Sequence, residues 1–224
     1  QFVNGPEPIQ LTSEVTDVLC HDGSDGKVRL YISGGTWPYD QVEISNSESY
    51  TNVDLGFTNE ATSLKAGTYL IIGKDKNGCQ IPPTKATIKQ PEPIIVSVIE
   101  AVSPRGFGLA DGKLQFSVRG GTSPTGNYAT SWQVGGAPFG SFTTTSSTNE
   151  LITQSSNAIG GNYMVTVTDN NYDLATDKKG CKAEFTYFLK QPDKLEATSI
   201  IMKKPSCAGK VDGEIRANIK GGVP

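Results

Sequence analysis

The stretch DGKVRLYISGG, which begins at Asp25, returns as DGKLQFSVRGG at Asp111 and as DGEIRANIKGG at Asp212. In each copy the aspartate stands nine residues before the first glycine of the pair, and the residues between alternate apolar and polar. A recurrence at this long period fixes architecture more firmly than local propensity does, because every copy must fold into the same unit. The chain is thus expected to be a run of tandem copies of one β unit.

Pro6-Glu7-Pro8-Ile9 recurs as Pro91-Glu92-Pro93-Ile94, and Pro192-Asp193-Lys194-Leu195 follows. These prolines set the expected boundaries: the end of an upstream repeat at 1–5, repeat one at 6–90, repeat two at 91–191, and the start of a third repeat at 192–224. The third copy is expected to continue past Pro224. A lone pair of strands cannot bury both its faces, so its order should come from a neighbour or from further chain.

Within each copy the period is two. Val28, Leu30 and Ile32 alternate with polar neighbours, as do Leu114, Phe116 and Val118, and then Ile215, Ala217 and Ile219. Such runs are strands with one buried face. With Gly 25, Pro 13 and Met only 2 among 224 residues, many turns and little helix are expected. Each full repeat is long enough for one modest core, the size of an immunoglobulin-like sandwich.

A second shared block reads LKAGTYLIIGKD from Leu64 and AIGGNYMVTVTD from Ala158. Tyr69 and Tyr163 stand just inside the penultimate strand of such a sandwich, where a tyrosine hydroxyl returns to nearby backbone as a tyrosine corner. Asp75-Lys76-Asn77-Gly78 then closes a short hairpin, with Asn and Gly expected to take positive φ. At the equivalent place the second repeat inserts NNYDLATD from Asn170 to Asp177, read either as a tolerated surface insertion or as a contact loop carrying Tyr172.

Cys-x4-Asp-Gly at Cys20 and Cys207, the strand ending Gly34-Gly35-Thr36-Trp37-Pro38-Tyr39, and the run from Leu64 through Tyr69 to Cys79 together resemble the SprB repeat. The second copy departs from that pattern, with Gly106 in place of the first cysteine and Ser123-Pro124-Thr125 in place of the Pro-Tyr pair. Repeats of this family occur in tandem in gliding adhesins and related surface proteins of Bacteroidota. The resemblance implies an extracellular, cell-surface filament segment, exported by the type IX system and anchored at the outer membrane through other parts of the protein.

An exported context favours oxidised cysteines, and four thiols allow three fully paired connectivities. In a seven-strand Greek-key sandwich the turn after the first strand, which holds Cys20 and Cys207, lies at the pole opposite the last hairpin, which holds Cys79 and Cys181. A strand of about ten residues spans roughly 30 Å, whereas a disulfide needs Cα atoms within about 7 Å. The preferred pairing is therefore between repeats, Cys20 with Cys181, leaving Cys79 to pair upstream and Cys207 downstream. Cys20 with Cys79, or free thiols, remain as alternatives. Staples between neighbouring repeats would stiffen an array and stabilise each unit by about 2–4 kcal/mol.

Catalysis finds little support. His21 is the single histidine, it sits in a turn, and no serine or cysteine nucleophile has a recurring partner. No cofactor is expected. Asp22 and Asp25 with Glu92 offer carboxylates for calcium, but the other junction supplies only Asp111 and Asp193, and turn formation by Asp25-Gly26 is the simpler account. A net charge of −3 without a basic cluster argues against nucleic acid, and no apolar run is long enough for membrane insertion.

Trp37, Tyr39, Phe139 and Tyr172 are the candidate surface contacts, since exposed aromatic rings stack on flat apolar faces such as those of sugars. Trp37-Pro38-Tyr39 is equally a plug for one pole of the sandwich, and Trp132 within TSWQV is most simply core. The expected fold is thus all-β, tandem immunoglobulin-like Greek-key sandwiches. Two functions follow: a non-enzymatic stalk or adhesive segment of a gliding-type adhesin, touching neighbouring repeats and an extracellular surface or polysaccharide, or a glycan-binding or accessory module of a secreted Bacteroidota enzyme or surface protein.

Overall fold

The computed structural model describes residues 5–47, 50–52, 59–122, 128–140, 142–147, 150–169 and 180–223. Every regular element among them is a β-strand. The chain forms two compact units. The first is Gln1–Pro93 with Gly120–Thr122 and Asn171–Cys181; the second is Ile94–Arg119, Ser123–Asn170 and Lys182–Pro224.

In the first unit, β1 (Gln10–Thr16), β2 (Gly26–Ser33) and β5 (Glu60–Leu64) make one antiparallel sheet in the order β1-β2-β5. The other sheet contains β3 (Tyr39–Ser45), β4 (Tyr50–Asn52), β6 (Gly67–Asp75) and β7 (Thr84–Ile88), ordered β4-β3-β6-β7. Val28, Leu30, Ala61 and Leu64 from the first sheet meet Val42, Ile44, Tyr69, Ile71, Ala86 and Ile88 from the second in one core. The strand order, with the chain crossing between sheets after β2, β4 and β5, is the Greek-key order of an immunoglobulin-like sandwich.

The second unit repeats the plan. One sheet is built from β8 (Ile95–Val102), β9 (Gly112–Arg119), β12 (Thr143–Ser147) and β13 (Glu150–Ala158), in the order β12-β13-β9-β8. The other has β10 (Ala129–Val134), β11 (Ala137–Phe139), β14 (Gly161–Thr168) and β15 (Lys182–Leu189), in the order β11-β10-β14-β15. The predicted apolar faces close on each other: Leu114, Phe116 and Val118 pack with Trp132, Leu151, Tyr163, Val165 and Val167. Trp132 is core, only 2% exposed, and its indole N–H donates to the buried Thr153 hydroxyl at 3.0 Å. A buried indole needs that partner, because an unsatisfied donor costs about 1–3 kcal/mol.

The repeated motif has a physical basis at each end. The aspartate closes the preceding turn: Asp25 Oδ1 accepts from the Leu19 N–H at 3.2 Å, Asp111 Oδ1 from Arg105 at 3.0 Å, and Asp212 Oδ1 from Ser206 at 3.0 Å. The glycine after it starts the strand against another backbone, and a Cβ on Gly26 would stand 2.7 Å from the Leu64 carbonyl oxygen. At the far end Gly34 has φ +75°, and a Cβ there would overlap the Pro8 carbonyl. The opening segment thus passes directly over the glycine pair, and the Gly35 N–H donates to the Glu7 carbonyl at 2.7 Å.

Among the described residues β16 (Asp193–Lys203) and β17 (Glu214–Gly222) pair only with each other, and they group with the second unit. The alternation expected to bury Ile215, Ala217 and Ile219 is present, but these side chains are exposed, Ile215 to 74%. Strand periodicity specifies which side chains share a face; burial needs a second layer, and a two-stranded sheet has none.

Candidate functional site

The first turn of the chain carries its disulfide. After β1 the chain turns back at Cys20, whose carbonyl accepts from the Gly23 N–H at 3.0 Å, and the aspartate bond described above holds the loop shut. Asp22 is in the left-handed region, at φ +58°, where Asp is among the few tolerated side chains. Cys20 is bonded to Cys181 in a disulfide with a Cα–Cα distance of 5.3 Å, inside the usual 4.4–6.8 Å window. The bond spans 161 residues of sequence, from the first copy's opening turn to the residue before β15, and lies within the first compact unit. Cys79 and Cys207 are exposed free thiols.

A recess of about 240 Å³ beside the bond is lined by Leu19, Cys20, Gly23, Ser24, Asp25 and Gly180. Its carboxylate, Asp25, is already engaged by the turn. His21 Nδ1 lies 3.1 Å from the Pro91 carbonyl oxygen; a carbonyl only accepts, so this nitrogen carries the proton. Among the described residues no group of three or more His, Cys, Asp or Glu side chains is placed to hold a metal ion.

The same turn receives a fastening that the sequence reading passed over. The Gln90 side-chain oxygen accepts from the Asp22 N–H at 2.9 Å, and Lys89 both accepts from the Val18 N–H and donates to Asp17 Oδ1. In the second unit the Gln191 side chain accepts from the Gly108 N–H, also at 2.9 Å. The available signal was Lys-Gln-Pro, which recurs at Lys89 and Lys190. Each glutamine ties the end of its repeat to that repeat's first turn.

At the opposite hairpin Asp75 is the organising group. Its carboxylate accepts backbone N–H bonds from Thr36, Asn77 and Cys79 at 3.0, 2.9 and 2.8 Å. Burial pushes the Asp75 carboxyl up, but the bonds from Cys79, Thr36 and Asn77 outweigh it, and the group ends below the ordinary aspartate range. The turn differs from expectation in one respect: Gly78 takes positive φ, +83°, and Asn77 does not. Asn77 instead donates its amide to the Thr36 hydroxyl at 3.0 Å, closing the turn by a side-chain bond.

The proposed aromatic contacts differ in their surroundings. Trp37 is 72% exposed. Tyr39 is half-buried against the first core, and its hydroxyl donates to the Gly34 carbonyl at 2.6 Å. Phe139 is no free ring: it stacks on Trp132 at 6.0 Å and meets Tyr163 edge-on at 5.4 Å, because it lies in β11 beside β10. Tyr172 and its insertion, like Ser123-Pro124-Thr125, lie outside the described residues.

Residues 12–40, covering β1, the cysteine turn, β2, the glycine pair and Tyr39, match the family model described as the SprB repeat. Over this stretch the first copy is similar to the SprB repeat. No curated protein matches the chain. Among solved structures, the I9-I11 tandem from titin is similar with a TM-score of 0.44 and 11% identity over 86% of this chain and 69% of that one. Sidekick-1 immunoglobulin domains 1-5 give a TM-score of 0.34 and 10% identity, over 98% of this chain and 46% of that one. The fold rests on the strand order above and not on these similarities. The strands make two immunoglobulin-like units, and the stretch similar to the SprB repeat lies in the first of them.

Proposed function

We propose that this chain is a non-enzymatic stalk segment of a large secreted adhesin at the surface of a gliding bacterium, exported by the type IX route and anchored at the outer membrane by other parts of the protein. The observation that carries the reading is the covalent link from the first copy's opening turn, Cys20, to Cys181 before the last strand of the second copy. Such a bond covalently ties residues 161 positions apart within the first compact unit, a use that suits a load-bearing array, and an oxidising exterior maintains it. The glutamine fastenings at Gln90 and Gln191 serve the same end by holding the linker segments against their own units.

Small-angle scattering on the oxidised chain tests this reading. An elongated particle of narrow size distribution is expected, broadening in the Cys20→Ser/Cys181→Ser variant; identical profiles for the two proteins count against it. Antibody raised to the chain should also label intact host cells, and the absence of surface label removes the localisation.

Trp37 favours a second reading, the glycan-binding module, because a ring 72% exposed at a strand end is available for stacking on a sugar. Polysaccharide binding that disappears on Trp37→Ala would replace the stalk with this alternative.

A further inference from the structure

We infer that Cys79 and Cys207 are the two halves of a second crosslink of the Cys20–Cys181 kind, formed head to tail between two copies of this chain. The inference rests on the stapled-repeat reading above, and it adds the partner of each free thiol. Both halves of the existing bond have a counterpart in matching local geometry.

The turn half is reproduced at Cys207. The Ser206 N–H donates to Asp212 Oδ1 at 3.0 Å as Leu19 does to Asp25, and the Cys207 carbonyl accepts from the Lys210 N–H at 3.1 Å as Cys20 does from Gly23. The middle copy keeps this turn, with the Gly106 carbonyl accepting from Leu109 at 3.3 Å, but has no sulfur to offer. The hairpin half is reproduced at Cys79. It immediately precedes Gln80, which bridges to Lys74 beside Asp75; Cys181 immediately precedes Lys182, which pairs with Thr168 beside Asp169. Cys79 and Cys181 thus occupy one register position in their respective sheets.

One turn half and one hairpin half remain free, and both are exposed. Neither Cys79 with Cys79 nor Cys207 with Cys207 reproduces the template, which joins unlike halves. Formed head to tail, the contact is heterologous and extends into a linear series; two reciprocal Cys79–Cys207 bonds would instead close a pair of copies on a two-fold axis and give dimer without a ladder, which would overturn the head-to-tail arrangement. Oxidised glutathione supplies the oxidant: the Cys79 thiolate attacks one of its sulfurs and releases one glutathione thiolate. The Cys207 thiolate of the second copy then attacks the Cys79 sulfur and expels the other, so two protein thiols are oxidised and two glutathiones leave reduced.

The test uses the full chain in a glutathione redox buffer, read by non-reducing electrophoresis and peptide mapping. The unmodified chain should give a ladder of oligomers whose linking peptides contain Cys79 and Cys207. Cys79→Ala or Cys207→Ala alone should remain monomeric, and an equimolar mixture of the two should give a dimer and nothing larger, at least about tenfold over either homodimer. Homodimers of Cys79→Ala in comparable yield, or a mixture that gives no dimer, would overturn the inference. The same maps report on Cys20–Cys181. Finding that bond intact beside a failed mixture sinks this inference alone, whereas its absence removes the template and the stapled-repeat reading with it.

Discussion

The Tyr163 hydroxyl donates to the Ile159 carbonyl at 2.8 Å and accepts from the Ile159 N–H at 2.9 Å, so one phenol closes both polar groups of a residue four positions upstream. Tyr69 makes the single version, donating to the Lys65 carbonyl at 2.9 Å. Both rings are buried, and burial raises the Tyr163 pKa. Tyr69→Phe should lower the stability of the first unit by about 1 kcal/mol, the ordinary worth of one such bond. Tyr163→Phe should cost more, roughly 1–3 kcal/mol in urea unfolding, because two backbone groups lose their partner.

The Asp75 hairpin should weaken in acid. Its folded-state pKa lies below the ordinary aspartate value, so its contribution is fully present above that value and is lost as pH falls through the folded-state pKa. Stability of the first unit should therefore begin to drop below about pH 4. Asp75→Asn should be less stable near neutrality and should flatten that acid limb in pH-dependent thermal unfolding. An unchanged limb would show that the carboxylate is not the titrating group.

Two tryptophans separate burial from exposure. Trp132→Ala removes a ring that stacks on Phe142 at 5.4 Å and contacts Phe116 at 5.1 Å, and should cost about 3–5 kcal/mol. Trp37→Phe, at an exposed site, should stay within about 0.5 kcal/mol of the unmodified protein by denaturant titration.

Gly34 and Gly78 both have positive φ, and they should respond differently to the same change. A Cβ on Gly78 meets nothing within 4 Å, so Gly78→Ala carries only the left-handed backbone cost of about 1–2 kcal/mol. Gly34→Ala adds a collision with the Pro8 carbonyl. Thermal unfolding should rank Gly34→Ala clearly below Gly78→Ala.

The two-layer fold was legible because period-two alternation, the Asp-Gly start and the tyrosine just inside each β6-type strand are all local signals that agree. Val28, Leu30, Phe116 and Trp132 are buried where the pattern placed them. What escaped the sequence was non-local. Gln90 reaches the Asp22 N–H across 68 residues, and no local pattern encodes that bond. Phe139 lies in a glycine-flanked, loop-like stretch, yet three residues paired on the edge of β10 are enough to seat its ring on the core. Ile215 and Ile219 show the converse, since their alternation is as clean as that of Leu114 and Phe116 while their burial depends on strands outside the hairpin.

Removing the Cys20–Cys181 bond should destabilise the oxidised chain by up to about 5 kcal/mol, because the bond closes a loop of 161 residues in the unfolded chain. Thermal unfolding of Cys20→Ser/Cys181→Ser against the oxidised parent measures this, and equal midpoints would mean that the bond constrains only the native state.

The bond also changes which part of the polypeptide would feel a pull. Tension applied at the two chain ends passes from residue 20 to residue 181 through sulfur, so the residues between carry no load even if their strands separate. At about 3.3 Å per extended residue, on the order of 500 Å of slack is withheld from the stretched chain. Reduction releases that reserve, and the redox state of one cysteine pair thereby sets how far the segment can lengthen before it breaks.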